Sequence, residues 1–285
     1  MSPDRYLLAS RLLGYLGDHE QALTIVSEGL GAFPDDPSLL HQRGTLRLLG
    51  RDLRAALADL EAARCRPTSH DVANPYRDGV VTDVRALLLD GAAPASTAGS
   101  GASLPSSIRL HLGLARYLVG DYGAAAAILR EAGDLAGEPY QRLAAHDYEY
   151  LSLCRSGSPE AARERIASLP LSEIVTDGIA APAQALERCH VKRLRLYRGE
   201  LLPEDLLRST SDQGVDVATL GYGVGAWYLI GGYDAAAART FERILSVGDP
   251  MSMGYLAAEV EHARLSVQAT NSSTMTEPAS VSSHP

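Results

Sequence analysis

One pattern constrains this chain more than any other: a helix–turn–helix unit that recurs in register near its start. Residues 3–33 carry apolar side chains at helical spacing and break at Gly17-Asp18-His19-Glu20. They resume with Ala22, Ile25, Val26 and Leu30 and stop at Phe33-Pro34-Asp35-Asp36-Pro37. Residues 38–67 repeat the order, with a break at Gly50-Arg51-Asp52 and a stop at Pro67. The small residue that opens the second helix is Ala22 and then Ala56, 34 positions on. A unit of this size cannot bury its own apolar stripe. It must stack on a copy of itself, so the pattern predicts an array of helix pairs.

Close packing gives the pattern its physical sense. Antiparallel helices need small residues where their axes approach, and Gly44 stands 12 positions before Ala56. Gly113 and Ala125 reproduce that spacing around the turn Gly120-Asp121-Tyr122. Residues 141–168 read as another pair, broken at Ser156-Gly157-Ser158-Pro159. Residues 183–208 read as a shorter one, and 216–247 as a last full pair around Gly231-Gly232-Tyr233-Asp234. Residues 251–267 are one further amphipathic helix, fit to cover an exposed end. The expectation is an all-α fold of about six pairs plus a capping helix, forming one domain over 1–267. Residues 91–107 and the tail 268–285 are small and polar, lack apolar anchors, and are expected to be disordered. A short helix is expected over 79–90.

The 34-residue period, the paired small residues and Pro34 at the end of the first unit resemble the tetratricopeptide repeat. That resemblance covers nearly 1–267 and implies a right-handed superhelix, an α-solenoid with a concave groove. The stretch TLGYGVGAWYLIGGYDAAAARTFERIL with MGYLAAEVEHARL is similar to the end of a family of free-standing bacterial tetratricopeptide proteins without an established activity. Arg43-Gly44, Arg47, His111 and Asp147 also look similar to positions of that family. The resemblance implies a fold and a shared groove, and no reaction.

Charge narrows the partners. The formal net charge is −9, and a negative surface repels phosphate backbones and anionic lipid, so neither nucleic acid nor a membrane surface is an expected partner. No apolar run approaches the length of a membrane span, and MSPDRYLLAS lacks a basic region before an apolar stretch, so no signal peptide is read there. Lys192 is the single lysine among 26 basic residues, a bias that fits a GC-rich bacterial genome. Cys65, Cys154 and Cys189 are far apart and form no CxxC, which reads as buried reduced thiols and a cytoplasmic location.

Motifs for metals and cofactors are weak. Glu259 and His262 have a Glu-x-x-His spacing, but a di-iron site needs a second such motif and two more carboxylates. His19-Glu20 falls in a turn and reads as solvated. No metal or cofactor is expected. Gly221, Gly223 and Gly225 lack the spacing of a phosphate loop. Inside a helix they imply either a neighbouring helix at close approach or room for a ligand.

The groove is the richer constellation. With Ala22, Ala56, Ala125, Ala162 and Ala236 taken as one equivalent position, the inner face of the first helices collects Arg11, His41, Thr45, His111, Tyr117, Asp147, Tyr222, Tyr228, Tyr255, Glu259 and His262. Gln184, Arg188 and Lys192 join from the fifth pair, and Arg47 from the family resemblance. The Lys and Asn clamp that grips chaperone C-termini is absent, since Leu7, Arg11, His41 and Thr45 take those places. The leading expectation is an interaction or adaptor protein that binds a protein, a peptide or a small molecule in this groove. The alternative is an unusual enzyme or ligand-binding accessory protein of bacterial small-molecule biosynthesis, in which His111, Asp147, Tyr222 and Glu259 carry acid–base chemistry. Whether the chain is an enzyme stays open at this level, as does its oligomeric state.

Overall fold

A computed structural model describes residues 2–67, 73–74, 102–171, 181–208 and 214–274. Thirteen helices occur among them: α1 (Pro3–Tyr15), α2 (His19–Ala32), α3 (Pro37–Leu49), α4 (Leu53–Arg64), α5 (Leu104–Val119), α6 (Tyr122–Asp134), α7 (Pro139–Arg155), α8 (Pro159–Ala167), α9 (Ala181–Tyr197), α10 (Pro203–Arg208), α11 (Gly214–Ile230), α12 (Asp234–Val247) and α13 (Met253–Thr274). The described departure from helix is a two-residue antiparallel ladder of Ala73-Asn74 with Ala102-Ser103, β1 and β2. No helix of the described residues is long and apolar enough to cross a membrane. The chain divides into two compact units, residues 1–205 and 206–285.

In the first unit α1 packs on α2, α3 on α4, α5 on α6 and α7 on α8, and α9 lies against α7. In the second, α11 packs on α12, and α13 lies against both. Three of the pairs share one contact rule. A Cβ built on Gly44 falls 2.7 Å from Leu60 Cγ, on Gly113 2.5 Å from Leu129 Cγ, and on Gly225 2.3 Å from Phe241 Cε1. Each large residue follows its glycine by sixteen positions. The glycine lets the axes approach, and the large side chain fills the hollow. This decides the reading of the helical glycines at 221 and 225. They admit Ile244 and Phe241 of the neighbouring helix rather than a ligand. It also corrects the register of the last pair by one residue. The equivalent of Ala22, Ala56, Ala125 and Ala162 is the fully buried Ala237, not Ala236.

Capping and turn chemistry fix the ends of the helices. Asp18, Asp36 and Asp52 cap α2, α3 and α4 by accepting from backbone N–H groups of the first turn. Gly17, Arg51, Gly120, Gly157, Gly199 and Gly232 all have positive φ, from 68° to 93°. Arg51 therefore carries a Cβ in a conformation its counterparts reach with glycine. Arg51→Gly is expected to raise the stability of the first unit by about 0.5–1 kcal/mol, less than the full left-handed penalty. The offset comes from losing the Arg51 Nη1 to Leu49 carbonyl bond of 2.5 Å. A urea midpoint that falls instead would show that this bond outweighs the strain.

Two expected boundaries move. α5 starts at Leu104, so 104–107 belong to a buried helical turn rather than to the loop expected over 91–107. The serines there serve as cap and tether. Ser103 accepts from the Ser106 N–H, Ser106 Oγ donates to the Ala132 carbonyl at 2.8 Å, and Gln141 donates to Ser107 Oγ at 2.7 Å. Residues 79–90 and 91–101 lie outside the described residues. At the other end α13 runs to Thr274, beyond the expected start of the tail at 268, because no proline follows until Pro278. Residues 275–285 are outside the described set. Among the cysteines only Cys189 is buried, Cys154 is half-buried, and Cys65 is exposed at the end of α4. His19 is not solvated as expected, since both ring nitrogens are buried beside Gly50.

Candidate functional site

The first helices do not present the expected polar face to open space. The position fifteen residues before the small alanine is Leu7, His41, Leu110, Asp147 and Tyr222 in the five pairs, and all five are buried. A side chain there packs into its unit instead of lining a trough. Where it is polar, a buried network must satisfy it.

The densest network lies between α7 and α9. Asp147 is fully buried. Its Oδ2 accepts from Nδ1 of His190 at 2.6 Å and forms an ion pair with Nε of Arg193 at 2.9 Å. Arg193, also fully buried, reaches the Tyr197 hydroxyl from Nε at 3.2 Å, and its guanidinium lies 5.0 Å from the centre of the Tyr148 ring. Tyr140 packs edge-on against His190 at 5.6 Å, and Tyr197 stacks on Tyr150 at 4.5 Å. α9 supplies His190, Arg193 and Tyr197 at i, i+3 and i+7, one helical face. α7 answers with Tyr140, Asp147 and Tyr148.

Burial sets the ionisation of this cluster. It lowers the pKa of His190, and the Asp147 bond only partly offsets it, so the imidazole is neutral at pH 7. Burial raises the pKa of the phenols of Tyr148 and Tyr197, which stay protonated. For Arg193 burial works against the charge but is outweighed by Asp147, and the guanidinium remains cationic. A neutral imidazole that donates from Nδ1 keeps its lone pair on Nε2. Among the described residues the buried Oδ1 of Asp147 has no hydrogen-bond partner. On the outer side Tyr197 joins Arg163, Arg198 and Glu200 around a recess of about 400 Å³.

A second network joins α1, α3 and α5. His41 Nε2 lies 3.0 Å from His111 Nδ1, which lies 2.9 Å from the Ser107 carbonyl. Arg11 bonds Gln42 at 3.4 Å, on the residue beside His41. Burial and the positive charge of Arg11 lower the pKa of both imidazoles.

The expected site residues therefore separate. His111 is bound to His41 and Ser107, while Asp147 takes His190 as its imidazole, so the expected His111–Asp147 pair does not form. Tyr117 is buried among Tyr122 and Tyr148. Arg47 joins Arg43 in clamping the buried Asp59 of α4, at 2.7 Å each, and so ties its pair together instead of facing a groove. Arg188 is exposed and Lys192 half-buried, while His190, Arg193 and Tyr197 of α9 are buried; the side chain of Gln184 lies outside the described set. In the second unit Tyr222 is fully buried and stacks on Phe241 at 6.0 Å. Tyr228 and Glu259 are half-buried, and Tyr255 donates to the Leu245 carbonyl at 3.4 Å. His262 lies 3.6 Å from Glu242 of α12. No group of three or more metal-binding side chains occurs among the described residues.

Neither protein-family models nor curated proteins give a match to this chain.

His190, Arg193, Tyr197, Tyr140 and Tyr148 were not among the residues singled out from the sequence. The usable signal was the i, i+3, i+7 spacing of three polar residues in the first helix of the shorter pair. Counting from small alanines cannot find it, because no such alanine follows α9.

Proposed function

We propose that this chain is a bacterial, cytoplasmic binding protein of the tetratricopeptide type, its pairs stacked as a right-handed solenoid with α13 as the cap, and that it holds a small molecule at the Asp147–His190 centre. One observation carries the reading: a fully buried carboxylate whose Oδ1 has no hydrogen-bond donor among the described residues. Leaving a buried acceptor unpaired costs about 1–3 kcal/mol, and a ligand N–H or O–H would recover that. The cluster is close to neutral overall, because Asp147 and Arg193 cancel, so it suits an uncharged polar molecule. The adaptor reading is the second one. It is favoured by half-buried polar residues on successive first helices, Arg11 on α1 and Gln42 and Thr45 on α3.

Untargeted mass spectrometry of the gently purified protein tests the first reading. A small molecule is expected with the wild type and at least about tenfold less with His190→Asn, which keeps a donor toward Asp147. A protein that carries no small molecule, and whose melting is unmoved by a library of uncharged metabolites, would favour the adaptor.

A further inference from the structure

We infer that His41 and His111 form a proton-operated latch between the second and third helix pairs, closed at neutral pH and released in mild acid. The latch is independent of the ligand centre, since it lies on α1, α3 and α5 rather than on α7 and α9.

Proton counting leads there. The Ser107 carbonyl, 2.9 Å from His111 Nδ1, can only accept, so Nδ1 carries a proton. His41 Nε2 faces the same N–H at 3.0 Å and must also accept. The proton of neutral His41 therefore sits on Nδ1, which is buried and has no hydrogen-bond partner among the described residues. A second proton on His41 would go to Nε2 and set one N–H against another. A second proton on His111 would place a cation beside Arg11 of α1, the charged side chain that bears on both rings. The carboxylates of the neighbouring helices are held elsewhere. Asp59 of α4 pairs with Arg43 and Arg47, Glu61 of α4 with Arg116, and Glu131 of α6 with Arg109. His19 of α2 meets α3 only at its far end, Gly50, and α7 meets Ser107 through the uncharged Gln141.

The sign follows from the closed geometry. Above about pH 6.5, the ordinary imidazole value, both rings are neutral whether the latch is closed or open. Burial first, and then the positive charge of Arg11, lowers both pKa values in the closed form. As pH falls below 6.5 the open form binds protons that the closed form refuses, so closure loses stability. At one pH unit below the ordinary value, each ring raises the opening constant by up to about tenfold, and the two together by up to about a hundredfold. What opens is a seam. Leu7 and Leu8 of α1, Leu39 and Leu40 of α3, and Leu104 and Ile108 of α5 belong to one buried apolar cluster across the same three helices.

Hydrogen–deuterium exchange of the full chain at about pH 7.5 and about pH 5.5 tests the latch. The comparison uses protection factors, which remove the intrinsic pH dependence of exchange. Protection of α1, α3 and the first half of α5 is expected to fall by at least about tenfold at the lower pH and to return on neutralisation. His41→Gln combined with His111→Asn puts an acceptor in place of Nε2 and a donor in place of Nδ1, and neither side chain can become charged. The double variant should keep its protection at both pH values. Wild-type protection that does not change with pH, or an equal loss in the double variant, would overturn the inference. If the double variant does not fold, nitrogen-15 shifts of the wild-type imidazoles at about pH 7.5 decide it. Protons on Nδ1 of both rings support the latch, and a proton on His41 Nε2 overturns it.

Discussion

Asp147→Ala is expected to cost the first unit about 3–5 kcal/mol, because it leaves the guanidinium of Arg193 buried without its counter-charge. Both groups are fully buried and 2.9 Å apart, so water cannot take over the lost partner. Urea unfolding of the full chain should show the loss in the transition of the first unit. The double substitution Asp147→Leu with Arg193→Met should recover most of the stability, since a well-packed apolar pair avoids the desolvation cost of two charges. The double variant would still lack the His190 partner and would bind no ligand at the centre. Recovery of stability without recovery of binding would separate the two duties of Asp147. If Asp147→Ala proved as stable as the wild type, Arg193 would have to escape to solvent, and the buried centre described above would not exist in solution.

Gly254→Ala is expected to destabilise the second unit by about 3 kcal/mol, at the upper end of what overpacking costs. A Cβ at that position would sit 2.4 Å from the carbonyl oxygen and 2.7 Å from the carbonyl carbon of Ala218. Those are backbone atoms of α11, which cannot rotate aside as a leucine end can. Gly31→Ala is the control. Nothing lies within 4 Å of a Cβ there, and alanine should stabilise α2 by up to about 1 kcal/mol through helix propensity. The same chemical change thus takes opposite signs in two helices. Thermal unfolding of the two variants side by side checks it, and a harmless Gly254→Ala would mean that α13 is not docked on α11 as described.

Much of the helical architecture was legible before any coordinates. The breaks at Gly17, Gly50-Arg51, Gly120, Gly157, Gly199 and Gly232 became turns because positive φ and missing side chains are local properties. Gly44 and Gly113 became contact points because two helices of fixed diameter approach closely only where a side chain is lacking. Ser103 to Ser107 misled for the complementary reason. Their composition resembles a loop, yet the Ser103 hydroxyl caps the helix, those of Ser106 and Ser107 found partners on other helices, and Leu104 and Ile108 were buried with them.

The site was much less legible. Period and small-residue spacing determine which residues form helices and which faces meet within a pair, because both depend on neighbours a few positions apart. They placed Asp147 on a groove wall, whereas it is fully buried against His190 and Arg193. They could not say that the imidazole beside it is His190, 43 positions away, rather than His111. That choice depends on how α9 rotates against α7. A fully buried carboxylate settles the rotation by drawing the guanidinium and imidazole of α9 toward itself, and leaves Arg188 in solvent. The sequence alone determined the helices, their turns and their close contacts, all set by local geometry. The pairing of buried charges was decided by the tertiary structure, because desolvation and Coulomb attraction act through space and leave no period in the chain.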